Sequence, residues 1–390
     1  MTADLASLFL LDPDVTFLNH GSYGACPVPV FAAYQAWQRE LERQPVAFLN
    51  RAGALGTRLR VVRTALATEV GTHPDNLALF SNATSALNVV LQSLDLKPGD
   101  EIVTTDHEYA AMDKTLAHVC AQSEAVVVRA ELPLPHSDEN AFAEAVLAKL
   151  SSRSRVLFLS HITSATALVF PLARIVAEAR RRGITTIIDG AHVPGQIPLN
   201  LDRLGADFYA GNCHKWMMAP KGSAFLYARP AMQHVLQPAI ISHGWTAARH
   251  EQGPFGNAGF IDALEMQGTR DPSAWLAIPD ALDFAKTHHW SVVRKSCRDL
   301  AQATAAEINN LSGYPALGSA EFCAPQMVAV RVPHCDPAVL HARLLESYQI
   351  ELPCHNWKEM TLVRFSVQGY TTKADTQALV RALCQVFAWG

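Results

Sequence analysis

The sequence carries little net charge and lacks the long apolar runs of membrane proteins. Its 390 residues include 32 basic and 36 acidic side chains, a formal net charge of -4, which gives no electrostatic reason to expect nucleic acid or an anionic membrane as a partner. Nowhere do the about 18 consecutive apolar residues of a membrane helix occur. The start, MTADLASLFLLDPD, lacks the basic residues that open a signal peptide. We therefore expect a soluble, cytoplasmic protein that acts on a small molecule.

Several fingerprint motifs are also missing. The eight cysteines include no C-x-x-C pair, which argues against a zinc knuckle or a dithiol centre, so no metal is expected. No G-x-G-x-x-G follows the first strand, and neither G-x-x-x-x-G-K-[ST] nor H-E-x-x-H is present. Dinucleotide, nucleoside-triphosphate and zinc-protease sites therefore lack their usual sequence signals.

What the sequence does contain is an alternation of helical stretches and short apolar runs between about residues 55 and 240. The runs are EIVTTD, AVVVRAEL, RVLFLSHI, ITTIIDGA and ADFYAGN, and such alternation predicts a mainly parallel sheet covered by helices on both faces. The C-terminal third differs. A long helical segment from about 273 to 310 precedes QMVAVRVP, DPAVLHARLLESY, LVRFSVQGY and KADTQALVRALCQVFA, which indicates a small α+β unit.

Two residues at neighbouring strand ends suggest a cofactor site. Asp189 ends the run ITTIIDGA, and Lys215 follows the next run, ADFYAGNCHK. In open α/β sheets ligands bind beyond the carboxyl ends of the strands. A lysine there can form a Schiff base with pyridoxal phosphate, and an acid can pair with the pyridine nitrogen of that cofactor. The alternative is a turn-capping aspartate beside a surface lysine.

A third segment can supply a phosphate site. In LFSNATSALNVVLQSL, residues 79 to 94, small and hydroxylated residues precede an apolar helix. The free backbone N–H groups of a helix N-terminus bind phosphate. Taken alone, the segment is better explained as an ordinary helix cap, and it gains a phosphate-binding role only beside the other two residues.

Seven segments together resemble one known family. They are LNHGSYGACP (18 to 27), NATSALN (82 to 88), TDHEYAAM (105 to 112), SHITSATALVFPL (160 to 172), DGAHVPGQIPL (189 to 199), ADFYAGNCHKW (206 to 216) and QGTRDPSAWLAIPDALDF (267 to 284). The set resembles the class V aminotransferase-like enzymes of fold type I, which depend on pyridoxal phosphate. Within that family the chain is most similar to isopenicillin N epimerase-like proteins and to the C–S lyases of the ergothioneine pathway.

The resemblance implies an architecture and a cofactor. It implies an α/β fold of type I, with a large domain (17–275) built on a mainly parallel seven-stranded sheet flanked by helices. A small α+β domain (1–16 and 276–390) completes the chain. The implied cofactor is pyridoxal 5'-phosphate, and the implied substrate is an amino acid or a compound derived from one.

The resemblance also implies site residues, position by position. Lys215 is the Schiff-base lysine, Asp189 the partner of the pyridine nitrogen, and His192 a polar neighbour of the ring hydroxyl. The phosphate is assigned to Ala83, Thr84, Asn212 and His214. Thr269 matches a threonine that reaches the phosphate of a neighbouring subunit in relatives, which implies a homodimer with shared active sites.

Further assignments concern the cofactor ring and the substrate. Tyr109 matches the aromatic residue over the ring, with His107 as the alternative if the alignment is displaced, and with a core tyrosine as the plain structural reading. Arg364 matches the arginine that binds the substrate α-carboxylate, a role that suits its bidentate geometry. A structural salt bridge is the alternative. Asn19 is assigned to the substrate as well.

The sequence leaves the reaction open. Epimerisation, C–S lysis and transamination use the same lysine, aspartate and arginine, so the substrate-facing loops must decide. The segment from 241 to 260, with Trp245, is predicted to form part of the substrate wall or a dimer contact. Gln368 and Thr371 depart from the family pattern and indicate a changed substrate. Cys354 invites a cysteine desulfurase interpretation, but its sequence context is absent, so we interpret it as an ordinary thiol. A non-catalytic protein on the same fold is a distant alternative.

Overall fold

The computed structural model describes residues 5–247 and 252–389. Its strands, in chain order, are β1 (Thr16–Phe17), β2 (Leu77–Phe80), β3 (Glu101–Thr105), β4 (Val126–Ala130), β5 (Ser154–Ser160), β6 (Thr185–Asp189), β7 (Phe208–Asn212), β8 (Ala224–Ala228), β9 (Met327–Val332), β10 (Ile350–Glu351), β11 (Cys354–Trp357) and β12 (Met360–Ser366). Each of the seven apolar runs that were predicted as strands in the two units overlaps one of these strands.

The helices surround the strands. They are α1 (His20–Tyr23), α2 (Val28–Arg43), α3 (Pro45–Phe48), α4 (Ala54–Val70), α5 (Ala83–Gln92), α6 (Ala110–Ser123), α7 (Glu139–Leu147), α8 (Ala173–Arg181), α9 (Leu201–Leu204), α10 (Gly259–Glu265), α11 (Ser273–Leu276), α12 (Ile278–Thr287), α13 (Trp290–Ser312), α14 (Pro337–Tyr348) and α15 (Lys373–Phe387). None of the described helices is long and apolar enough to cross a membrane.

The central sheet has seven strands in the order β2-β8-β7-β6-β5-β3-β4. The pairs from β4 to β7 are parallel, and β8 runs antiparallel to both β7 and β2. Alternate residues of one strand enter different cores: Leu157 of β5 packs in one apolar cluster, and Val156 packs in another on the opposite face. Helices therefore cover both faces, which explains the nearly continuous apolar runs. The expected mainly parallel seven-stranded α/β sheet is confirmed.

The C-terminal unit has its own sheet and apolar core. Strands β11, β12 and β9 form an antiparallel sheet, and side chains of α13, α14 and α15 pack with it in a separate cluster. Strand β1 pairs in parallel with β10, with Thr16 opposite Ile350, so the segment before the large sheet joins this unit. The domain boundaries at 17 and 275 remain a prediction.

The stretch from 273 to 310, expected as one long helical segment, consists of three helices. Helix α12 begins beside Pro279, a residue suited to a first helical turn because it needs no N–H partner there. His289, with a φ of 50°, separates α12 from α13. These two breaks turn the chain between α11 and α13.

Candidate active site

The two residues predicted to hold the cofactor ring lie at the carboxyl edge of the central sheet. Asp189 is the last residue of β6, and Lys215 follows β7 by three positions. Strands β6 and β7 are parallel neighbours, with Asp189 in register with Ala210, so both strands end at the same edge. Both side chains line one cavity of about 340 Å³, a volume typical of small-ligand sites.

Lys215 is a partly buried residue on the wall of the cavity. Its Nζ lies 3.2 Å from Nε2 of His192. Burial and, to a smaller extent, the charge of Arg364 lower the pKa of Lys215 to about 7, with Asp189 partly opposing both effects. Burial likewise lowers the pKa of His192 well below its usual value. His192 is therefore neutral, and a substantial fraction of Lys215 is a neutral amine near pH 7. A neutral amine is the nucleophile that attacks an aldehyde.

Asp189 is a buried carboxyl group whose recorded hydrogen bond comes from the backbone. Its Oδ1 accepts from the N–H of Ala191 at 2.9 Å, and no ion pair to it occurs among the described residues. Burial raises the pKa of Asp189, and Lys215 lowers it only in part. Because an isolated buried carboxylate is costly, this position favours a cationic ligand. A protonated pyridine nitrogen meets that requirement, so the residues fit pyridoxal phosphate.

The predicted phosphate residues converge at another wall of the cavity. Ala83 and Thr84 begin α5, and Asn82 caps that helix by accepting from Ser85 N–H at 2.8 Å. The N–H of Ala83 donates to Oδ1 of Asn212 at 2.8 Å, so this amide ties α5 to β7. Thr84, Asn212 and His214 also line the cavity. An α-helix N-terminus beside a hydroxyl and an imidazole suits an anion.

Tyr109, and not His107, reaches the cavity. Tyr109 precedes the first residue of α6, is 44% exposed and lines the cavity. His107 is fully buried, lies 2.8 Å from the hydroxyl of Thr166 through Nδ1, and packs on Trp357 with ring centroids 4.4 Å apart. The structure therefore gives Tyr109 the access that a ring-covering residue needs.

Arg364 enters from β12 of the C-terminal unit. Its Nη1 donates to the carbonyl oxygen of Ser164 at 2.6 Å, and its Nη2 donates to Oγ of Ser22 at 3.1 Å. Ser22 and Ser164 both line the cavity, while Nε of the arginine is buried without a partner among the described residues. Arg364 forms no ion pair in that part of the chain. The structural salt bridge considered as its alternative role is thus not seen, and a buried unpaired guanidinium favours an anion nearby.

Two predicted residues lie away from this cavity within one chain. Asn19 donates from Nδ2 to Oε1 of Glu351 at 2.7 Å and does not contribute to the cavity wall. Thr269 lies on the exposed turn between α10 and α11. Its predicted contact is with a second subunit, so its exposure in a single chain leaves that prediction open.

The predicted substrate wall is only partly described. Residues 248–251 of the segment lie outside the described residues, and Trp245, 39% exposed, does not line the cavity. Gln368 is fully buried and accepts from Nε2 of Gln326 at 2.9 Å, so its departure from the family pattern changes a buried hydrogen bond and not the cavity wall. Burial raises the pKa of Cys354 to about 12, which favours an unreactive thiol.

Sequence reasoning assigned no role to His20, although its motif was part of the resemblance. The His20 ring is fully buried, with Nε2 lying 3.0 Å from the carbonyl oxygen of Lys215 and Nδ1 lying 3.0 Å from the hydroxyl of Tyr370. Gly24, at a φ of 70°, packs so closely on the lysine loop that a Cβ would approach the carbonyl oxygen of His214 to 2.0 Å. The motif LNHGSYG therefore supports the loop that carries Lys215.

Glu108 and Ser160 were also missed. Ser160, the last residue of β5, lines the cavity and is in register with Asp189. Its hydroxyl donates to Oε2 of Glu108 at 2.6 Å. Glu108 lies inside the segment TDHEYAAM, so a signal was present, but only the sheet order brings its carboxyl group to β5.

A wider cleft of about 650 Å³ opens behind Trp216, between α4, α12 and α13. None of the predicted site residues lines it. The chemistry of the predicted residues belongs to the smaller cavity.

A mainly parallel sheet whose carboxyl edge presents a partly buried lysine and a buried aspartate to one cavity is the arrangement of a pyridoxal-phosphate enzyme of fold type I. The chain belongs to the aminotransferase class-V family, whose match spans residues 26–379. Membership of this family makes the protein a pyridoxal-phosphate-dependent enzyme, as the resemblance implied.

Two curated relatives and one solved structure illustrate the range of the family. The isopenicillin N epimerase of Amycolatopsis lactamdurans is 36% identical over 382 residues, covering 96% of this chain and 95% of that protein. A probable chloroplastic L-cysteine desulfhydrase of Arabidopsis thaliana is 28% identical over 381 residues, covering 88% and 75%. A mutant of C-DES with glycine covalently linked to its cofactor has a TM-score of 0.80 at 22% identity, covering 97% of both chains. That last similarity shows the fold.

Proposed function

We propose that the protein is an isopenicillin N epimerase-like enzyme, which inverts the configuration at the α-carbon of an amino acid or of a substrate derived from one. The observation that carries the proposal is a cavity holding Lys215, Asp189 and Tyr109, with Arg364 bonded to two of its wall residues. The 36% identity to an isopenicillin N epimerase over nearly the whole chain supports epimerisation over the other reactions of the family.

Each side chain then has a distinct task. Bound pyridoxal phosphate supplies an electron sink that makes the α-proton of the substrate acidic. Lys215, whose pKa is lowered to about 7, takes that proton as a neutral amine. Arg364 binds the α-carboxylate, and Tyr109 or a water molecule returns a proton to the opposite face of the same carbon. Asp189 holds the positive charge of the ring nitrogen.

The remaining assignments belong to the same proposal. Thr84, Asn212 and His214 bind the phosphate with the start of α5, and His192 lies beside the ring hydroxyl. Thr269, exposed in one chain, reaches the phosphate of a second copy in a homodimer. Asn19, bonded to Glu351 and away from the cavity, is left out of the proposed substrate site. A cytoplasmic location fits the eight free cysteines.

Hydrogen exchange at the α-carbon tests the proposal. The protein, loaded with pyridoxal phosphate, is incubated with isopenicillin N in deuterated water. The two epimers are then separated, and the deuterium content of each is measured by mass spectrometry. We expect interconversion with uptake of one deuterium at the α-carbon, and none with Lys215→Ala. Exchange without any change of configuration would contradict epimerisation.

C–S lysis is the second candidate, favoured by the similarity to a probable L-cysteine desulfhydrase. It predicts that cysteine yields sulfide, ammonia and a keto acid, and that a cysteine conjugate yields a thiol in place of sulfide. The persulfide route of a desulfurase finds no support, because no thiol lines the described part of the cavity. Sulfide release that outpaces α-deuteration of isopenicillin N would make this the function.

A further inference from the structure

Glu108 is a buried carboxyl group directly beneath the cavity, with no part in the mechanism above. It lies three residues past the end of β3 and next to Tyr109. Its Oε1 accepts from Oγ1 of Thr105 at 2.6 Å. Its Oε2 accepts from both the N–H and the Oγ of Ser160, at 2.9 and 2.6 Å. The side chain thus joins the carboxyl ends of β3 and β5 below the turn that presents Tyr109.

The opposite end of β3 carries a matched glutamate. Glu101 is equally buried and also accepts from two hydroxyl groups, those of Ser151 and Ser154 at 2.5 and 3.1 Å. It has in addition an ion pair with Arg153 at 2.7 Å. Glu108 has no ion pair within residues 5–247 and 252–389. Hydroxyl donors are therefore common to both sites. The cation differs, and so does the effect of burial, which is the largest influence on the pKa of Glu108 but not on that of Glu101.

The charged group that faces Glu108 is another carboxyl group. Ser160, which Glu108 holds, is directly opposite Asp189 in the β5–β6 register, and the charge of Asp189 disfavours ionisation of Glu108. Lys215, on the loop after β7, lowers the pKa of Asp189 through its charge. The charge of Asp189 in turn helps to raise the pKa of Tyr209 on β7. Buried carboxyl groups that repel each other do not both ionise readily.

We infer that Glu108 is a positioning residue that carries the proton of this carboxyl pair, so that Asp189 is left as the single anion facing the cofactor ring. The inference rests on the proposed role of Asp189. When Glu108 is neutral, its O–H donates to the oxygen of Ser160 or of Thr105, since a hydroxyl group both donates and accepts. The turn before Tyr109 is thereby held in either protonation state.

The protonation pattern of the pair follows from the two environments. Burial raises the pKa of Glu108 to about 7, against the hydrogen bonds from Ser160 and Thr105 that lower it. A pyridinium beside Asp189 would favour the anion there and leave the proton on Glu108. A structural glutamate such as Glu101, whose pKa the hydrogen bonds of Ser151 and the charge of Arg153 lower, has no such function.

Infrared spectroscopy of the cofactor-free protein tests the inference. The wild type minus Glu108→Gln difference spectrum should contain a protonated carboxylic acid band at pH 6 that disappears as the pH rises through about 7. The matched wild type minus Glu101→Gln spectrum should contain none at pH 6. Absence of the acid band from the Glu108 difference spectrum at pH 6 would overturn the inference.

The coupling to Asp189 needs its own measurement, because a merely structural glutamate could also be protonated. In the Asp189→Asn background the Glu108 band should titrate at lower pH, by about one unit, because the repelling charge is gone. An unchanged titration would overturn the coupling. Neither experiment uses pyridoxal phosphate, so a failure here is distinct from a failure of the proposed function, which deuterium uptake at the α-carbon tests.

Discussion

The two edges of the central sheet both carry buried carboxyl groups, but only one edge neutralises them. At the amino edge, Glu101 pairs with Arg153 at 2.7 Å, and Asp207 pairs with Arg229 at 2.6 Å and accepts from Thr186 N–H at 2.8 Å. At the carboxyl edge, Asp189 and Glu108 have no ion pair among the described residues.

The difference separates stabilising charges from functional ones. A buried carboxylate that has a cation and hydrogen bonds from its own chain needs no further partner, so its role is structural. A buried carboxyl group without a cation has a raised pKa, as Asp189 and Glu108 have. Its charge is neutralised only when it binds a cationic ligand or a proton. The amino edge should therefore respond to mutation through stability, and the carboxyl edge through cofactor and substrate.

Removal of Lys215 should have the largest effect. Lys215→Ala removes both the covalent attachment of the cofactor and the proposed base, so we expect activity to fall by roughly 10⁴-fold, the upper end of what a general base contributes. The visible absorption band of the bound cofactor should be lost as well. Lys221→Ala, at a nearby exposed lysine, is the control and should keep the band. Retention of the band in Lys215→Ala would show that the cofactor is not attached to Lys215 at the carboxyl edge of the sheet.

Asp189→Asn should come next. The amide keeps the shape of the side chain but cannot hold a positive ring nitrogen, so we expect kcat to fall by roughly 10²-fold, as for the loss of one preorganised electrostatic contact. The free energy of unfolding should stay within about 1 kcal/mol or rise, because a buried carboxyl group is removed. Urea unfolding and steady-state kinetics on the same preparation check both expectations. A variant with full activity would show that Asp189 has no electrostatic role.

Arg229→Ala tests the amino edge. It leaves Asp207 buried without its cation, so the free energy of unfolding should fall by about 3 kcal/mol. Cofactor affinity per folded molecule should stay unchanged, since neither residue lines the cavity. An unchanged free energy of unfolding in urea, or a weaker cofactor affinity, would contradict the division into a structural edge and a functional edge.

The two glutamates of β3 should have opposite pH effects on stability. Glu108, whose pKa is raised on folding, contributes less stability as the pH rises from its unfolded value through about 7. Glu108→Gln should therefore gain on the wild type over that range, by about 1.4 kcal/mol for each unit of pKa difference. Glu101, whose pKa is lowered, stabilises above its unfolded pKa and loses that contribution as the pH falls.

Glu101→Gln should therefore be less stable than the wild type at neutral pH and approach it in acid. Thermal unfolding of the cofactor-free proteins between pH 4 and 8 measures both slopes. If the stability of the two variants relative to the wild type changed with pH in the same direction, the two glutamates would not differ in the way proposed.

The smallest expected effect concerns cofactor uptake. With the pKa of Lys215 at about 7, the neutral fraction of the amine, and hence the association rate of pyridoxal phosphate, should rise about tenfold between pH 6 and 8 and then level off. An ordinary lysine would give about a hundredfold rise over the same range without a plateau. Stopped-flow absorbance at several pH values distinguishes the two.

The sequence predicts the strand ends well and the lateral contacts poorly. Asp189 and Lys215 were placed at one edge because each follows a recognisable apolar run, and parallel strands end together. The contact of Glu108 with Ser160 depends on β5 lying beside β3, an order that local patterns do not contain. The same holds for His20, whose partners lie about two hundred and three hundred and fifty residues away.

Loop detail was harder still. Arg364 and Tyr109 came from the resemblance, and the structure brings Tyr109 into the cavity and Arg364 to its wall residues. Trp245 and Asn19 carried no periodic signal, and neither lines the cavity. The break between α11 and α12 and the break at His289 do not show in the sequence, because the flanking residues keep helical spacing.

Mapping of the covalent attachment tests the central claim most directly. The cofactor-free protein is mixed with pyridoxal phosphate, reduced with borohydride and digested, and the labelled peptide is sequenced by mass spectrometry. We predict a single label on Lys215, absent in Lys215→Ala and weakened in Asp189→Asn. A label on Lys221, or spread over surface lysines in the wild type, would contradict the assignment of the carboxyl edge as the cofactor site.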